Sequence, residues 1–267
     1  MRFLSLIDMQ TTFSLITNGD FTAESILSVA TGKIGALEVP DFFTESECAT
    51  ILRALQTVEL GSYDEQFVVP RINKLGPAAF DFYEDGELDE RYWEHAEQST
   101  KSRSRLLDGN DPLNLAIERL AGDWRSPVRL ATTADGQLFA GMIRQINNGA
   151  KMHYDDVINE FPGVLDPEPV AQLAFNCFLD APAEGGEATV YRRRWRPEDQ
   201  DHRDGYGYSA ELVADTESVQ VPARKGAATL FDPRNYHRVA PNGPNGNRVT
   251  LSFFMGLLPD RTLTIWS

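Results

Sequence analysis

Three side chains of this sequence have the types and the spacing needed to hold one transition-metal ion: His153, Asp155 and His237. Two imidazoles and one carboxylate form the facial triad of non-haem Fe(II) sites, which leaves other positions on the ion open. His153 and Asp155 are two residues apart, so at the end of a strand both side chains emerge on the same face. Tyr154 must then point the other way, and His237 must arrive on a neighbouring strand. On its own, a His-x-Asp pair is also compatible with a solvated surface pair.

Shortly after His237, Arg248 begins a strand-like run in which alternation places Arg248, Thr250 and Ser252 on the inward face. A buried arginine requires an anion, and the planar guanidinium binds a carboxylate through two parallel hydrogen bonds. The sequence therefore predicts a carboxylate site beside the metal site.

The elements that must position these residues follow from local patterns. One helix is predicted around residues 22–30. Thr44 and Glu47 form a capping box that begins a second helix over 44–55, whose apolar residues recur at helical spacing. Asp111 followed by Pro112 begins a third helix. The irregular pattern between residues 61 and 110 predicts a connecting region that lines a pocket.

From residue 137 onward, short runs separated by Gly, Pro, Asn or Asp indicate β-strands. The predicted strands are 137–145, 171–179, 187–191, 219–221, 227–231, 237–240 and 248–257. This order predicts a mainly β protein with flanking helices, in which two helices cover one face of a rolled antiparallel sandwich. We expect residues 1–35 to form an N-terminal arm packed on the core, and residues 36–267 to form a single domain whose β core spans about 137–258.

Charge and cysteine content restrict the class of protein. The 267 residues carry a formal net charge of −15, which argues against nucleic acid or an anionic membrane as a partner. The two cysteines, Cys48 and Cys177, lie in apolar patterns that indicate neither a disulfide framework nor a cysteine-rich metal site. We also find no signal-peptide pattern and no long apolar span, so the sequence predicts a cytoplasmic protein.

The motifs between Ile143 and Leu258 resemble, in their order, the core of a known enzyme family. The matching pieces are Arg144-Gln145-Ile146-Asn147-Asn148-Gly149, His153-Tyr154-Asp155, Gly185-Gly186-Glu187, Lys225-Gly226-Ala227, His237-Arg238-Val239 and Asn247-Arg248. This stretch resembles the double-stranded β-helix (jelly-roll, cupin-like) core of the Fe(II)/2-oxoglutarate-dependent oxygenases, especially the prolyl-4-hydroxylase-like branch.

The resemblance implies a cofactor set of Fe(II) and 2-oxoglutarate, with O2 as cosubstrate. It assigns His153, Asp155 and His237 as iron ligands and Arg248 as the partner of the distal carboxylate of 2-oxoglutarate. Thr250 is the expected second partner of that carboxylate. Two amides, Gln145 and Asn176, are further candidates for cofactor contacts, although a satisfied core amide is an equally good interpretation of each.

The resemblance also implies the outcome of the reaction. In related halogenases a small residue replaces the carboxylate ligand so that halide can bind the iron, whereas this chain retains Asp155. We therefore predict hydroxylation of a C–H bond in a small molecule, such as a free amino acid or a natural-product intermediate, with release of succinate and CO2. Desaturation, ring closure and epimerisation use the same ligands and remain open.

Three other functions compete with this prediction. A peptidyl hydroxylase acting on protein predicts an open groove rather than a closed pocket. A non-catalytic cupin-like metal-binding module and a zinc hydrolase both leave Arg248 without a role. The sequence does not predict the oligomeric state.

An insertion over residues 191–208 contains the run Arg192-Arg193-Arg194-Trp195. One interpretation is a solvated loop whose arginines pair with nearby carboxylates. The other is a lid over the barrel mouth, with Trp195 and the arginines facing an anionic or aromatic substrate.

Overall fold

The computed structural model describes residues 13–84 and 86–267. The five α-helices of these residues are α1 (Ala23–Ala30), α2 (Glu45–Leu55), α3 (Glu90–Arg103), α4 (Pro112–Trp124) and α5 (Val157–Glu160). Short 3-10 helices cover Ala79–Phe82, Pro197–His202 and Ala210–Val213. None of the helices in the described ranges combines the length and the apolar character that crossing a membrane demands.

The first strands of the described residues precede the metal-site region. They are β1 (Leu15–Thr17), β2 (Ala36–Val39), β3 (Gly61–Ser62), β4 (Asn73–Leu75), β5 (Tyr83–Glu84), β6 (Glu87–Leu88) and β7 (Val128–Leu130). The later strands are β8 (Met142–Gln145), β9 (Ala150–His153), β10 (Ala171–Asp180), β11 (Ala188–Arg194), β12 (Arg203–Asp204), β13 (Gly207–Tyr208), β14 (Ser218–Val221), β15 (Ala228–Phe231), β16 (Asn235–Val239), β17 (Val249–Leu257) and β18 (Leu263–Trp266).

Two sheets form the body of the molecule. The larger has the order β1-β2-β15-β10-β17-β8-β4-β3, with β18 paired to β17 and β7 paired to β18. The smaller has the order β14-β11-β16-β9. The predicted antiparallel sandwich is present, with two parallel pairs in addition, β1/β2 and β7/β18. Both parallel pairs lie at the margins of the larger sheet, outside the strands that hold the site.

The helices α1, α2 and α4 cover the outer face of the larger sheet, so three helices rather than the predicted two pack there. Strand β10 explains why this face is apolar: alternate residues, among them Leu173, Phe175 and Cys177, are fully buried in the helix-facing core. The intervening residues Ala174 and Asn176 lie on the opposite face, toward the smaller sheet. A strand buried on both faces is continuously apolar except where a polar group serves the interior.

Most predicted elements are confirmed within a few residues. The capping box at Thr44 and Glu47 is present with both of its hydrogen bonds, and Asp111 caps α4 with Pro112 in its first turn. The predicted strand over 137–145 is shorter, since β8 begins at Met142. These elements were predictable because their signals are local.

The prediction that residues 61–110 are irregular is wrong over α3. This helix buries only Tyr92 and Arg103, so its sequence lacks the apolar stripe that would have indicated a helix. The predicted N-terminal arm falls partly on residues 1–12, outside the described ranges. From Phe13 onward, the chain adds β1 to the edge of the larger sheet through pairing with β2.

Candidate metal centre and anion site

The two histidines of the predicted triad lie opposite each other on paired strands. In the antiparallel pair β9/β16, His153 and His237 are direct partners, and their ring centroids are 4.2 Å apart. Asp155 follows β9, where its N–H donates to the carbonyl of Pro233 (3.0 Å). Its Oδ2 lies 3.3 Å from Nε2 of His237 and 3.8 Å from Nε2 of His153. One ligand atom from each residue falls within 4.8 Å of the others, which is close enough to share an ion.

Backbone carbonyls orient both imidazoles. Nδ1 of His153 lies 2.7 Å from the carbonyl of Lys151, and Nδ1 of His237 lies 3.0 Å from the carbonyl of Asn235. A carbonyl only accepts, so each Nδ1 carries the proton and each Nε2 presents its lone pair to the ion. The strand geometry thus selects the tautomer that a metal ligand requires.

The electrostatics of the triad favour the protonation states that bind a metal. Burial, followed by the neighbouring His237, lowers the pKa of His153 to about 4, so this imidazole is neutral near pH 7. Burial by itself would raise the pKa of Asp155, but His153 and His237 outweigh it and lower that pKa to about 2. The site therefore offers two neutral nitrogens and one carboxylate anion.

Arg248 lies beside the triad as a buried cation that forms no ion pair with any described residue. Its side chain is 3% exposed; Nε donates to the carbonyl of Gly186 (2.9 Å), and the guanidinium lies over the ring of Phe178. Nη1 is buried without a hydrogen-bond partner, and so is Oγ1 of Thr250, two residues along the same strand face. Burial, and then Arg144, lower the pKa of Arg248 to about 9. An unpartnered donor and an unpartnered hydroxyl fit the distal carboxylate of 2-oxoglutarate.

The Gly185-Gly186 pair has a local structural reason. Both residues have positive φ values, 75° and 73°, and a Cβ on Gly185 would lie 2.3 Å from the carbonyl oxygen of Pro241. Glycine is therefore required where this turn approaches the chain after β16. The turn also delivers the Gly186 carbonyl to Arg248.

A cavity of about 320 Å3 opens onto the triad between the two sheets. His153, Asp155, His237, Arg248 and Asn176 all contribute to its wall. The structure thus brings together five of the seven predicted site residues at the cavity, with Thr250 buried just behind it.

Gln145 is the predicted site residue that the structure places elsewhere. Its amide donates to Asn247 (3.0 Å) and accepts from Asn73 (3.2 Å), outside the cavity wall. The preceding residue, Arg144, lines the cavity instead. The cause is strand alternation: Arg144 pairs with Thr250 across β8/β17 and so shares its face. The cofactor contact at Gln145 stays a prediction, which this placement does not support.

Two further residues of the cavity wall carry no signal in the sequence. Glu160 is the last residue of α5. Its burial, and next the charge of Asp155, raise the pKa of its carboxyl group well above the usual value. Tyr206 lies with its ring 5.8 Å from that of His153, and its hydroxyl accepts from the N–H of Lys151 (2.6 Å). Neither residue belongs to a periodic pattern, because each reaches the site from a turn or a short element.

The insertion over 191–208 combines both predicted interpretations. Its arginines pair with carboxylates: Arg193 with Asp199, Arg194 with Asp232 and Arg192 with Glu217. Trp195 stacks on Tyr154 at 5.5 Å and does not line the cavity. The covering role belongs to the following hairpin β12/β13, from which Arg203, Tyr206 and Tyr208 contribute to the cavity wall.

Comparison with known proteins gives consistent matches. The family model of the carrier-protein-independent halogenase WelO5 matches residues 16–267. The L-gamma-glutamyl-L-propargylglycine hydroxylase of Streptantibioticus cattleyicolor is 37% identical over 260 residues, covering 96% of this chain and 97% of that protein. The leucinostatins biosynthesis cluster protein S of Purpureocillium lilacinum is 38% identical over 140 residues, covering 50% of this chain and 57% of that protein.

Solved structures extend the comparison to the fold. An N-substituted L-amino acid dioxygenase from Burkholderia ambifaria AMMD, in complex with alpha-KG, superposes with a TM-score of 0.59 at 14% identity. The match covers 92% of this chain and 91% of that chain. The predicted double-stranded β-helix fold is confirmed.

Proposed function

The chain belongs to the family of the carrier-protein-independent halogenase WelO5, and we propose that it acts as an Fe(II)- and 2-oxoglutarate-dependent hydroxylase of a small, amino-acid-derived molecule. The hydroxylase of Streptantibioticus cattleyicolor, 37% identical over nearly the full chain, supports both the reaction type and the substrate class. The placement in the prolyl-4-hydroxylase-like branch stays a prediction.

The observation that carries this proposal is the carboxylate of Asp155 between the two imidazoles. An ion at this site would be held by three protein ligands, because Asp155 supplies a carboxylate at the position that a halide would otherwise take. The ordinary result is then transfer of oxygen rather than halogen. Within a family named for a halogenase, Asp155 assigns this chain to the hydroxylating members.

Each group of the site has a distinct task in this reaction. His153, Asp155 and His237 hold the ion, and the Lys151 and Asn235 carbonyls keep each Nε2 directed at it. The iron, when bound, supplies the chemistry that couples decarboxylation of 2-oxoglutarate to oxidation of a C–H bond.

Arg248 and Thr250 hold the distal carboxylate of 2-oxoglutarate and so fix the direction in which the 2-oxo acid enters the site. The β12/β13 hairpin lays Tyr206 over His153 and thereby limits access of water to the reacting atoms.

The shape of the cavity favours a small molecule over a protein substrate. A cavity of about 320 Å3 with a mainly apolar wall and several converging polar groups is typical of small-ligand sites, whereas a peptidyl hydroxylase requires an extended groove. A non-catalytic metal-binding module gives no purpose to the buried charge of Arg248. A cytoplasmic location and the absence of nucleic-acid and membrane partners stay predictions, and the buried free thiols of Cys48 and Cys177 are compatible with a reducing compartment.

The first test is an anaerobic titration of the protein with Fe(II) and 2-oxoglutarate. We expect the visible charge-transfer band of the iron chelate to appear with one equivalent of each. Folded, iron-loaded protein that develops no band would refute the proposed cofactor set.

The second test identifies the atom transferred. The protein is incubated with Fe(II), 2-oxoglutarate, chloride, 18O2 and a panel of amino acids and γ-glutamyl dipeptides. We expect succinate release and a product that gains one 18O atom, with no reaction when 2-oxoglutarate is omitted. A chlorinated product in place of the hydroxylated one would refute the hydroxylase assignment.

A further inference from the structure

The cavity contains a second guanidinium that the cofactor chemistry does not use. Arg144 lies on β8, where Nε donates to Oγ of Ser252 (2.9 Å) and Nη2 donates to Oδ1 of Asn176 (3.2 Å). Both acceptors are neutral. Among residues 13–84 and 86–267, no carboxylate forms an ion pair with Arg144. The guanidinium is therefore held in position at the cavity wall, with N–H donors left for a ligand.

The proposed cofactors do not neutralise Arg144. Fe(II), the Asp155 carboxylate, the two carboxylates of 2-oxoglutarate and the Arg248 guanidinium carry formal charges that sum to zero. In the proposed function, the distal carboxylate of 2-oxoglutarate would pair with Arg248 and the other carboxylate would lie at the ion, so neither would be left to pair with Arg144. Arg144 is a half-buried cation beside a metal and cofactor site whose charges already sum to zero. Its guanidinium therefore still requires an anionic partner.

An acidic side chain lies in the same cavity. Glu160 contributes to the wall, and the one hydrogen bond of its carboxyl group to a described residue is the acceptance of the Asp156 N–H by Oε2 (2.9 Å). It forms no ion pair with any described residue, and the nearby Arg203 is exposed and donates to the Gly205 carbonyl instead. Oε1 of Glu160 is thus free to accept from a cationic ligand.

We propose that Arg144 and Glu160 bind the carboxylate and the ammonium group of an α-amino-acid substrate. This inference rests on the proposed function and specifies its substrate: a zwitterion brings a carboxylate that can accept from the N–H donors of Arg144 and an ammonium group that can donate to Oε1 of Glu160. Much of the remaining wall, including Val68, Ile72 and Phe161, is apolar. The substrate side chain is therefore expected to be uncharged.

The test compares Arg144→Met, Arg144→Lys and Glu160→Gln with wild type. Arg71→Met serves as the matched control, because Arg71 is an exposed arginine paired with Glu65 outside the cavity. Dissociation constants are measured anaerobically for the Fe(II)- and 2-oxoglutarate-loaded proteins by calorimetry. The probes are L-amino acids with uncharged side chains and γ-glutamyl dipeptides with an amidated C-terminus, each compared with its own α-carboxamide and its N-acetyl derivative. The dissociation constant of 2-oxoglutarate is measured in parallel from the charge-transfer band.

Wild type is expected to bind at least one free amino acid or dipeptide ~10-fold or more tightly than its carboxamide and its N-acetyl form. In Arg144→Met, the dissociation constant of that probe should rise ~10- to 100-fold, the range expected for lost charge-assisted hydrogen bonds. This variant should bind the free acid and the carboxamide equally. Arg144→Lys should keep part of the preference for the acid. Glu160→Gln should lose the preference for the free amine, and Arg71→Met should match wild type.

Three outcomes would overturn the inference. Weakened 2-oxoglutarate binding in Arg144→Met, with the preference for the free acid unchanged, would assign Arg144 to the cofactor. Failure of every probe to bind loaded wild type would exclude an amino-acid zwitterion while leaving the proposed oxygenase function intact. Absence of the charge-transfer band from wild type would instead reject the proposed function itself, and the inference with it.

Discussion

Replacement of Arg248 by Met should weaken the binding of 2-oxoglutarate without lowering the stability of the unliganded fold. In the unliganded protein the guanidinium is 3% exposed, its Nη1 has no partner among the described residues, and burial holds its pKa at about 9 against an ordinary 12.5. That difference corresponds to a charging cost on the order of 5 kcal/mol. The variant loses the hydrogen bond to Gly186 and the contact with Phe178, which offset part of this gain. We therefore expect its unliganded stability to be unchanged or to rise by up to about 2 kcal/mol.

The loss in ligand binding should be much larger. Two charge-assisted hydrogen bonds to a carboxylate contribute together about 3 to 5 kcal/mol, so the dissociation constant of 2-oxoglutarate should rise roughly 10²- to 10³-fold. Thr250→Val removes one hydrogen bond from a hydroxyl to the carboxylate, worth about 1.5 kcal/mol, and should raise that constant about tenfold. Because Oγ1 of Thr250 has no hydrogen-bond partner among the described residues, this variant should also leave the unliganded fold intact.

Thermal unfolding with redox-inert Mn(II) in place of iron measures both effects. At 2-oxoglutarate equal to ~100 times its dissociation constant, wild type gains about 2.7 kcal/mol, which for a chain of this size raises Tm by about 5 to 11 °C. In Arg248→Met, the same concentration should raise Tm by no more than about 2 °C. A variant that 2-oxoglutarate stabilises as strongly as wild type would refute the assignment of Arg248 to the distal carboxylate.

Three other predictions concern the metal site and the fold. Asp155→Ala should lower hydroxylation by at least ~100-fold and reduce the bound iron, measured as succinate release and by elemental analysis; full activity with stoichiometric iron would contradict the ligand role. Between about pH 6.5 and pH 4, His153 is protonated in the unfolded chain but neutral in the folded protein, where its pKa is lowered to about 4. The free energy of unfolding of the unliganded protein should therefore fall by up to about 3 kcal/mol as the pH is lowered through this range. Urea titrations at several pH values should show that the free energy of unfolding depends less on pH in His153→Gln than in wild type. An equal pH dependence in the two proteins would contradict the lowered pKa of His153. Asp111→Ala should lower the free energy of unfolding by about 3 to 5 kcal/mol, because it leaves the buried Arg103 without its ion-pair partner. Asp89→Ala, at an exposed helix cap, should lower it by about 1 kcal/mol, measured by chemical denaturation. Similar losses in the two variants would argue against the buried pair.

Local patterns in the sequence were sufficient for the elements and for most of the site. The i, i+2 spacing of His153 and Asp155 and the alternation from Arg248 to Thr250 are properties of any strand, so the sequence alone predicted which side chains share a face. Helix caps such as Thr44 are equally local. The order of these motifs along the chain was enough to predict a double-stranded β-helix and the oxygenase class.

What the sequence left open depends on contacts between distant segments. Whether Arg144 or Gln145 faces the cavity is decided by the register of β8 against β17, where Arg144 pairs with Thr250, and a shift of one residue would reverse the choice. Glu160 and Tyr206 reach the cavity only because a short helix and a hairpin fold back over β9. Helix α3 shows no apolar stripe because most of its surface remains in solvent. The sequence by itself thus determined the candidate metal ligands and the strands that hold them, whereas the tertiary structure decided which other charges face the substrate, since strand register and loop placement are set by packing across the whole chain.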